Sequence, residues 1–253
     1  MKPLKTYGLM ILAALLACVS LSAAGESAET GLEQFIVRHG SPDSRKDAIT
    51  MDDCNNREIV WKTAELCRQY GIAMTFFPNG RNLHAEDREN WQDLLDAGCE
   101  IGSHAEDHMA LKSPDRVAPE LMVFQQHLDE TLGYHYQVRW FRPPYGQLGE
   151  EEGTTSRVMY EIKKCGYDHA LLWNVSYMWD SKITFDMTRN GSILLFHAAD
   201  EDYRDIEGLI PLLLEAGFEP VTVSELFGFD PPETGGEIYV YDRKNFTYPR
   251  PDP

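Results

Sequence analysis

From about residue 46 one unit recurs: an amphipathic helical stretch, a glycine, a short apolar run and a polar loop. REIVWKTAELCRQYG leads into IAMTFF, NWQDLLDAG into CEIGSH, SRVMYEIKKCG into YDHALLW, and IEGLIPLLLEAG into FEPVTV. Gly71, Gly98, Gly166 and Gly217 stand where a helix ends in a left-handed residue. The apolar runs are short and almost uniformly apolar, as parallel strands covered on both faces must be. Strand candidates fall near 47–51, 72–77, 100–103, 138–142, 168–173, 193–197 and 219–223. Helices alternating with such strands predict an α/β protein with a parallel sheet. Seven strands suit a barrel better than an open sheet, and no GxGxxG follows the first of them. One domain is expected over 30–228.

The ends of the chain differ from this pattern. MKPLK is a basic start, YGLMILAALLACVSL an apolar run short for a membrane span, and SAAG a run of small residues. This reads as an export signal over residues 1–24. A retained anchor and a lipid-modified Cys18, from the LLAC box, are the alternatives. Secretion or attachment to the cell envelope is the expected location. The net charge is −18, and loss of Lys2 and Lys5 makes it about −20. A chain this acidic does not bind nucleic acid or anionic lipid through charge. Residues 229–253 form a tail rich in proline and aromatics, expected to pack along the surface or to lead nowhere ordered. Cys54, Cys67, Cys99 and Cys165 have wide spacings without a CxxC, so disulfide pairing and buried free thiols both stay open.

In parallel α/β folds chemistry collects where strands exit toward helices. AITM ends in Asp52 and Asp53, EIGS in His104 with His108 four residues on, RWF in Arg142-Pro143-Pro144-Tyr145, and ILLF in His197. The spacing of His104 and His108 predicts a helical turn with both imidazoles on one side, within reach of one metal ion. One of the paired aspartates supplies a third ligand, giving a two-His, one-carboxylate site for Zn²⁺ or a similar cation such as Co²⁺. The other aspartate is then placed as general base for a water molecule. His197 is either a proton donor to a leaving group or a core histidine. Arg142 is either the group that holds the base or a structural ion pair. The Tyr145 N–H, stiffened by two prolines, is a candidate oxyanion donor.

With these residues in view the chain resembles the polysaccharide deacetylases, the NodB-homology domains of carbohydrate esterase family four. ITMDDC looks like the family's T-F-D-D-G, IGSHAEDHMAL matches H-[ST]-x-x-H in spacing, FRPPYG matches R-x-P-Y, and GSILLFHAAD and TVSELFG match the closing segments. The resemblance covers roughly 46–228. It implies a distorted (β/α)7-type barrel with a divalent metal, usually zinc. The implied reaction removes acetyl groups from N-acetylglucosamine polymers such as peptidoglycan or chitin, or from acetylated xylan. By position, Asp52 is the implied base and Asp53, His104 and His108 the implied metal ligands. Arg142 orients the base, Tyr145 stabilises the oxyanion, and His197 is the acid. Substrate contact is implied for Leu195, Trp179, Tyr145 and Pro143. Met51 and Cys54 depart from the first motif. The fourth motif, D-x-x-D-W, is replaced by WNVSYMWD, with Ser176 and Trp179 at the aspartate positions. Asp180 or Asp200 is the expected substitute supporting His197. Without one, an O-acetyl esterase or a glycan-binding protein that does not turn over gains ground.

Overall fold

Helix α1, Arg57–Tyr70, shows how the local pattern becomes structure. It buries Ile59, Val60, Thr63, Ala64, Leu66 and Cys67 along one stripe and ends at Gly71, whose φ of 64° lets its N–H reach the Cys67 carbonyl. The computed structural model describes residues 35–149, 152–238, 240–242 and 244. The export signal expected over 1–24, and Cys18 within it, lie outside the described residues. Residues from Ile36 onward form one unit. No described helix is long and apolar enough to cross a membrane.

The described elements run β1 (Ile36–Val37), β2 (Lys46–Asp53), α1, β3 (Thr75–Pro78), α2 (Arg88–Asp96), β4 (Glu100–Ile101) and α3 (Val117–Leu132). They continue as β5 (Trp140–Phe141), α4 (Glu152–Lys164), β6 (His169–Leu171), β7 (Val175–Ser176), α5 (Ser181–Met187), β8 (Ile193–His197), α6 (Asp200–Glu215), β9 (Glu219–Pro220) and α7 (Val223–Leu226). All the ladders are parallel. One sheet runs β4-β3-β2-β8-β7, with β9 against the start of β2, and the other runs β1-β6-β5. A bridge between Ser103 and Phe141 joins β4 to β5. Among the described residues no ladder joins β6 to β7. The result is a (β/α)7-type barrel distorted by a seam. Each of the seven expected strands is present, although most are shorter than the apolar runs that announced them. β1, β7, α3 and α5 were not anticipated from the sequence.

The barrel interior is layered by strand alternation. Ala48 pairs with Ile193, Thr50 with Leu195, and Asp52 with His197 across β2 and β8. Ala48 and Ile193 belong to the apolar floor with Phe77, Trp140, Leu171, Val221, Val223 and Leu226. Two registers up, the same face carries a carboxylate and an imidazole. The tail folds back on this floor: Phe229 packs its ring 5.7 Å from Trp140, and Thr234 bridges Tyr136 in antiparallel fashion. Cys54, Cys67, Cys99 and Cys165 are buried free thiols.

Asp47, one residue from the start of β2, is fully buried, and neither carboxylate oxygen has a hydrogen-bond partner. Burial raises its pKa from 3.8 to about 7. The native state therefore holds a proton that the unfolded chain releases near 3.8. Stability is full below that value and declines as the pH rises to about 7, by up to about 4 kcal/mol. Urea midpoints measured across this range should fall for the natural chain and stay nearly flat for Asp47→Asn; parallel profiles would refute the assignment.

Candidate active site

The rim at the C-terminal ends of β2, β4, β5, β6, β7 and β8 surrounds a cavity of about 680 Å³ lined by Asp52, Asp53, His104, His108, Pro143 and Tyr145 on one side. Trp173, Ser176, Tyr177, Met178, Trp179, Leu195 and His197 line the other. Every residue expected to act as catalyst, substrate contact or metal ligand lines this cavity except Arg142, which lies beneath it with none of its surface exposed. Arg142 Nη1 donates to Asp52 Oδ1 and to Thr50 Oγ1, each at 2.7 Å. The paired-carboxylate turn is thus partly neutralised from below.

Asp53 Oδ1 lies 3.3 Å from His108 Nε2 and 3.7 Å from His104 Nε2. These ligand atoms all fall within 4.8 Å of one another. The Asp53 oxygen is buried without a hydrogen-bond partner. His104 Nδ1 lies 2.8 Å from the Arg142 carbonyl, which can only accept, so the proton is on Nδ1 and the Nε2 lone pair faces Asp53. Burial lowers the His104 pKa against the pull of Asp52 and Asp53, which keeps the ring neutral. An orphan carboxylate oxygen facing an imidazole lone pair can share a cation with it, and this donor set fits a divalent one. The expected helical turn is not formed: His104 and His108 lie on a loop whose backbone enters the left-handed region at Ala105 and His108, φ 64° and 55°. That loop, not helical spacing, brings the ring centroids to 4.9 Å.

Across the cavity, His197 Nδ1 is 3.5 Å from Asp202 Oδ2, and the His197 N–H donates to the same oxygen at 2.6 Å. Burial opposes charge on His197, but Asp202, Asp52 and Asp53 outweigh it and raise the pKa above the ordinary imidazole value. The expected substitutes for the missing motif-four aspartate do not serve. Asp180 is committed as the N-cap of α5, accepting from the Lys182 and Ile183 N–H groups. Asp200 opens α6, and it is Asp202, in the first turn of that helix, that reaches His197. Both former aspartate positions now belong to indole contacts: Ser176 Oγ accepts from Trp173 Nε1, and Trp179 Nε1 donates to Asp202 Oδ1, each at 2.9 Å. Asp202, Trp173 and Tyr177 escaped the sequence reading, and Asp202 was hidden among three acidic residues of one helical turn. Cys54 is buried, with its thiol 3.9 Å from the Met51 carbonyl; burial first, then Asp52 and Asp53, push its pKa well up, so it packs as an inert thiol.

A parallel barrel whose rim gathers three imidazoles and two carboxylates belongs to the class of α/β folds that can set a divalent cation beside a general base. The sequence model described as polysaccharide deacetylase matches residues 39–170, just over half of the chain. The chain belongs to the polysaccharide deacetylase family. No curated protein matches it significantly. Solved structures match the fold. A carbohydrate esterase family 4 pseudoenzyme from Bacillus anthracis is 21% identical, with 76% of this chain and 68% of that one covered and a TM-score of 0.65. A peptidoglycan N-acetylglucosamine deacetylase is 20% identical, with 79% and 96% covered and a TM-score of 0.67. A family 4 acetyl xylan esterase from Clostridium thermocellum, in complex with cobalt, is 19% identical, with 73% and 93% covered and a TM-score of 0.60.

His104→Ala should weaken zinc binding by more than about 100-fold, since outer partners alone change metal affinity about 10–100-fold. Competition against a chromophoric chelator reads this directly. An unchanged affinity would remove His104 from the ligand set.

Proposed function

We propose that the protein is a divalent-metal-dependent deacetylase that removes acetyl groups from the amide nitrogens of an N-acetylglucosamine-containing glycan, such as peptidoglycan or chitin oligomers. The reading rests on one observation: a carboxylate held by Arg142 and an imidazole supported by Asp202 face each other across a cavity whose wall offers Asp53, His104 and His108 to a cation. Bound there, Zn²⁺ or Co²⁺ would acidify water and polarise a carbonyl. Asp52 Oδ1 is committed to Arg142, which leaves Oδ2 to take the proton of the attacking water. The Tyr145 N–H lies outside the turn bonds of its own loop, Gly146 to Pro143 and Gln147 to Pro144, and is offered to the developing oxyanion. Leu195 and Trp173 give the acetyl methyl an apolar wall. His197 donates its proton to the departing nitrogen.

The supported His197 favours amide over ester. An amine leaves poorly unless protonated, whereas an alkoxide leaves more easily without help. An O-acetyl esterase acting on xylan-like glycans is the second reading, favoured only by the exposed, open character of the aromatic wall. Asp202 also weakens the case for a binding protein without turnover, because that case rested on an unsupported histidine. We read residues 1–24 as an export signal that places the enzyme outside the cytoplasm or, through Cys18, on the cell envelope.

Acetate release should be measured on chitin, peptidoglycan and acetylated xylan fragments, with chelator and with restored zinc or cobalt. Asp52→Asn should lower kcat by about 10²- to 10⁴-fold; undiminished release would overturn the assigned base. Asp202→Asn should reduce kcat by about 10-fold or more on amides, less on esters, and should move the alkaline limb of the pH–rate profile downward, because the raised His197 pKa loses its partner. An unmoved limb would show that Asp202 does not support the acid.

A further inference from the structure

Tyr177, Met178 and Trp179 follow β7 on the His197 side of the cavity. Trp179 is 66% exposed, yet it is not loose. Its backbone sits in the left-handed region, φ 53°, and its indole N–H is anchored on Asp202. The Tyr177 ring lies 5.4 Å from Trp179 at 36° and 5.2 Å from His197 at 84°. Beyond this pair is a second, shallower concavity of about 450 Å³, lined by Tyr177, Trp179, His197, Ala199, Glu201 and Asp202. It shares Tyr177, Trp179 and His197 with the first cavity. Among the described residues, His197 is its one basic lining residue. Asp202 is engaged by His197 and Trp179, whereas the exposed Glu201 makes, among the described residues, only a long contact of 3.8 Å to Arg204.

The leaving group determines what must lie here. In N-deacetylation the acetyl carbon stays on the Asp52 side, and the departing nitrogen carries the whole glycan with it. That nitrogen takes its proton from His197, so the sugar chain extends past His197 and over the second concavity. An anchored pair of aromatic rings offers flat faces to a pyranose. Those faces also attract an ammonium group, and Glu201 adds a negative charge at the edge. We propose that the concavity bounded by Tyr177, Trp179 and Glu201 is a saccharide subsite that selects a hexosamine with a free amine, next to the sugar being deacetylated. The inference rests on the deacetylase reading above. It means that chains already partly deacetylated are the better substrates.

The test uses the full chain carrying Asp52→Asn, loaded with zinc, and follows tryptophan fluorescence. Two ligands are titrated: a fully N-acetylated glucosamine tetramer and a tetramer alternating glucosamine with N-acetylglucosamine. The alternating tetramer should bind about three- to tenfold tighter at low salt, the range that an exposed ion pair and a cation–π contact can supply. Added Glu201→Gln should abolish most of the preference, and so should high salt. Equal affinities, or a preference that survives Glu201→Gln, would overturn the subsite. Acetate release from the fully acetylated tetramer by the chain with Asp52 intact is measured alongside. Equal affinities with acetate release refute the subsite alone; no binding of either tetramer together with no acetate release refutes both readings. The comparison of two ligands on one protein does not depend on how any Glu201 variant folds.

Discussion

A guanidinium group buried inside the barrel is the constraint around which the site is arranged. Arg142 has no exposed surface, and its charge is met by Asp52, by the Thr50 hydroxyl and by the faces of Phe77 and Trp173 at 4.4 and 5.9 Å. An isolated charge in such a place costs several kcal/mol, so one oxygen of Asp52 is bound to stay with it. The backbone of the same residue does a second job. Its N–H donates to the Ser103 carbonyl at 2.8 Å, which joins β4 to β5, and its carbonyl orients His104. One residue therefore sets the direction of the carboxylate through its side chain and of the imidazole through its main chain.

The rim that results is strained. Among the described residues, the non-glycine positions with positive φ are Asp53, Cys54, Ala105, His108, Tyr145 and Trp179. Asp53 closes β2 and the other five lie in the segments that follow strand ends around the cavity. Such conformations cost about 1–3 kcal/mol each and persist only where the surroundings over-determine them. Here the surroundings are the closely packed strand layers below, where Ala48, Ile193, Trp140 and Leu171 are fully buried. The apolar floor makes the irregular rim tolerable, and the irregular rim aims the side chains inward.

The support of His197 shows how a function can move along a chain without moving in space. A carboxylate is needed near Nδ1, but whether it arrives from the loop after β7 or from the first turn of α6 makes no difference to the imidazole. Here it arrives from α6, which releases Ser176 and Trp179 to hold and display aromatic surface. Asp202 thereby touches His197 with one oxygen and the exposed indole with the other. One carboxylate therefore anchors both the His197 backbone and the exposed Trp179 indole.

Much of the fold was legible in the sequence because burial imposes periodicity. Uniformly apolar runs marked parallel strands, amphipathic stripes marked α1, α2, α4 and α6, and Gly71, Gly98, Gly166 and Gly217 do adopt positive φ. The short β1 and β7 left no such trace, since two residues are too few to show a period. The gathering of Asp52, Asp53, His104, Arg142 and His197 at strand ends was legible as well, because strand ends are predictable places in a parallel α/β fold. What the sequence could not convey was direction. His104 and His108 are four apart on a loop, where helical spacing has no meaning. Asp200 and Asp202 are alike as letters, yet only Asp202 points back toward His197. Composition and period follow from what must be buried, and the sequence alone determines them; the aim of each side chain depends on contacts between segments far apart in the chain, such as Arg142 with Asp52, and only the tertiary structure decides it.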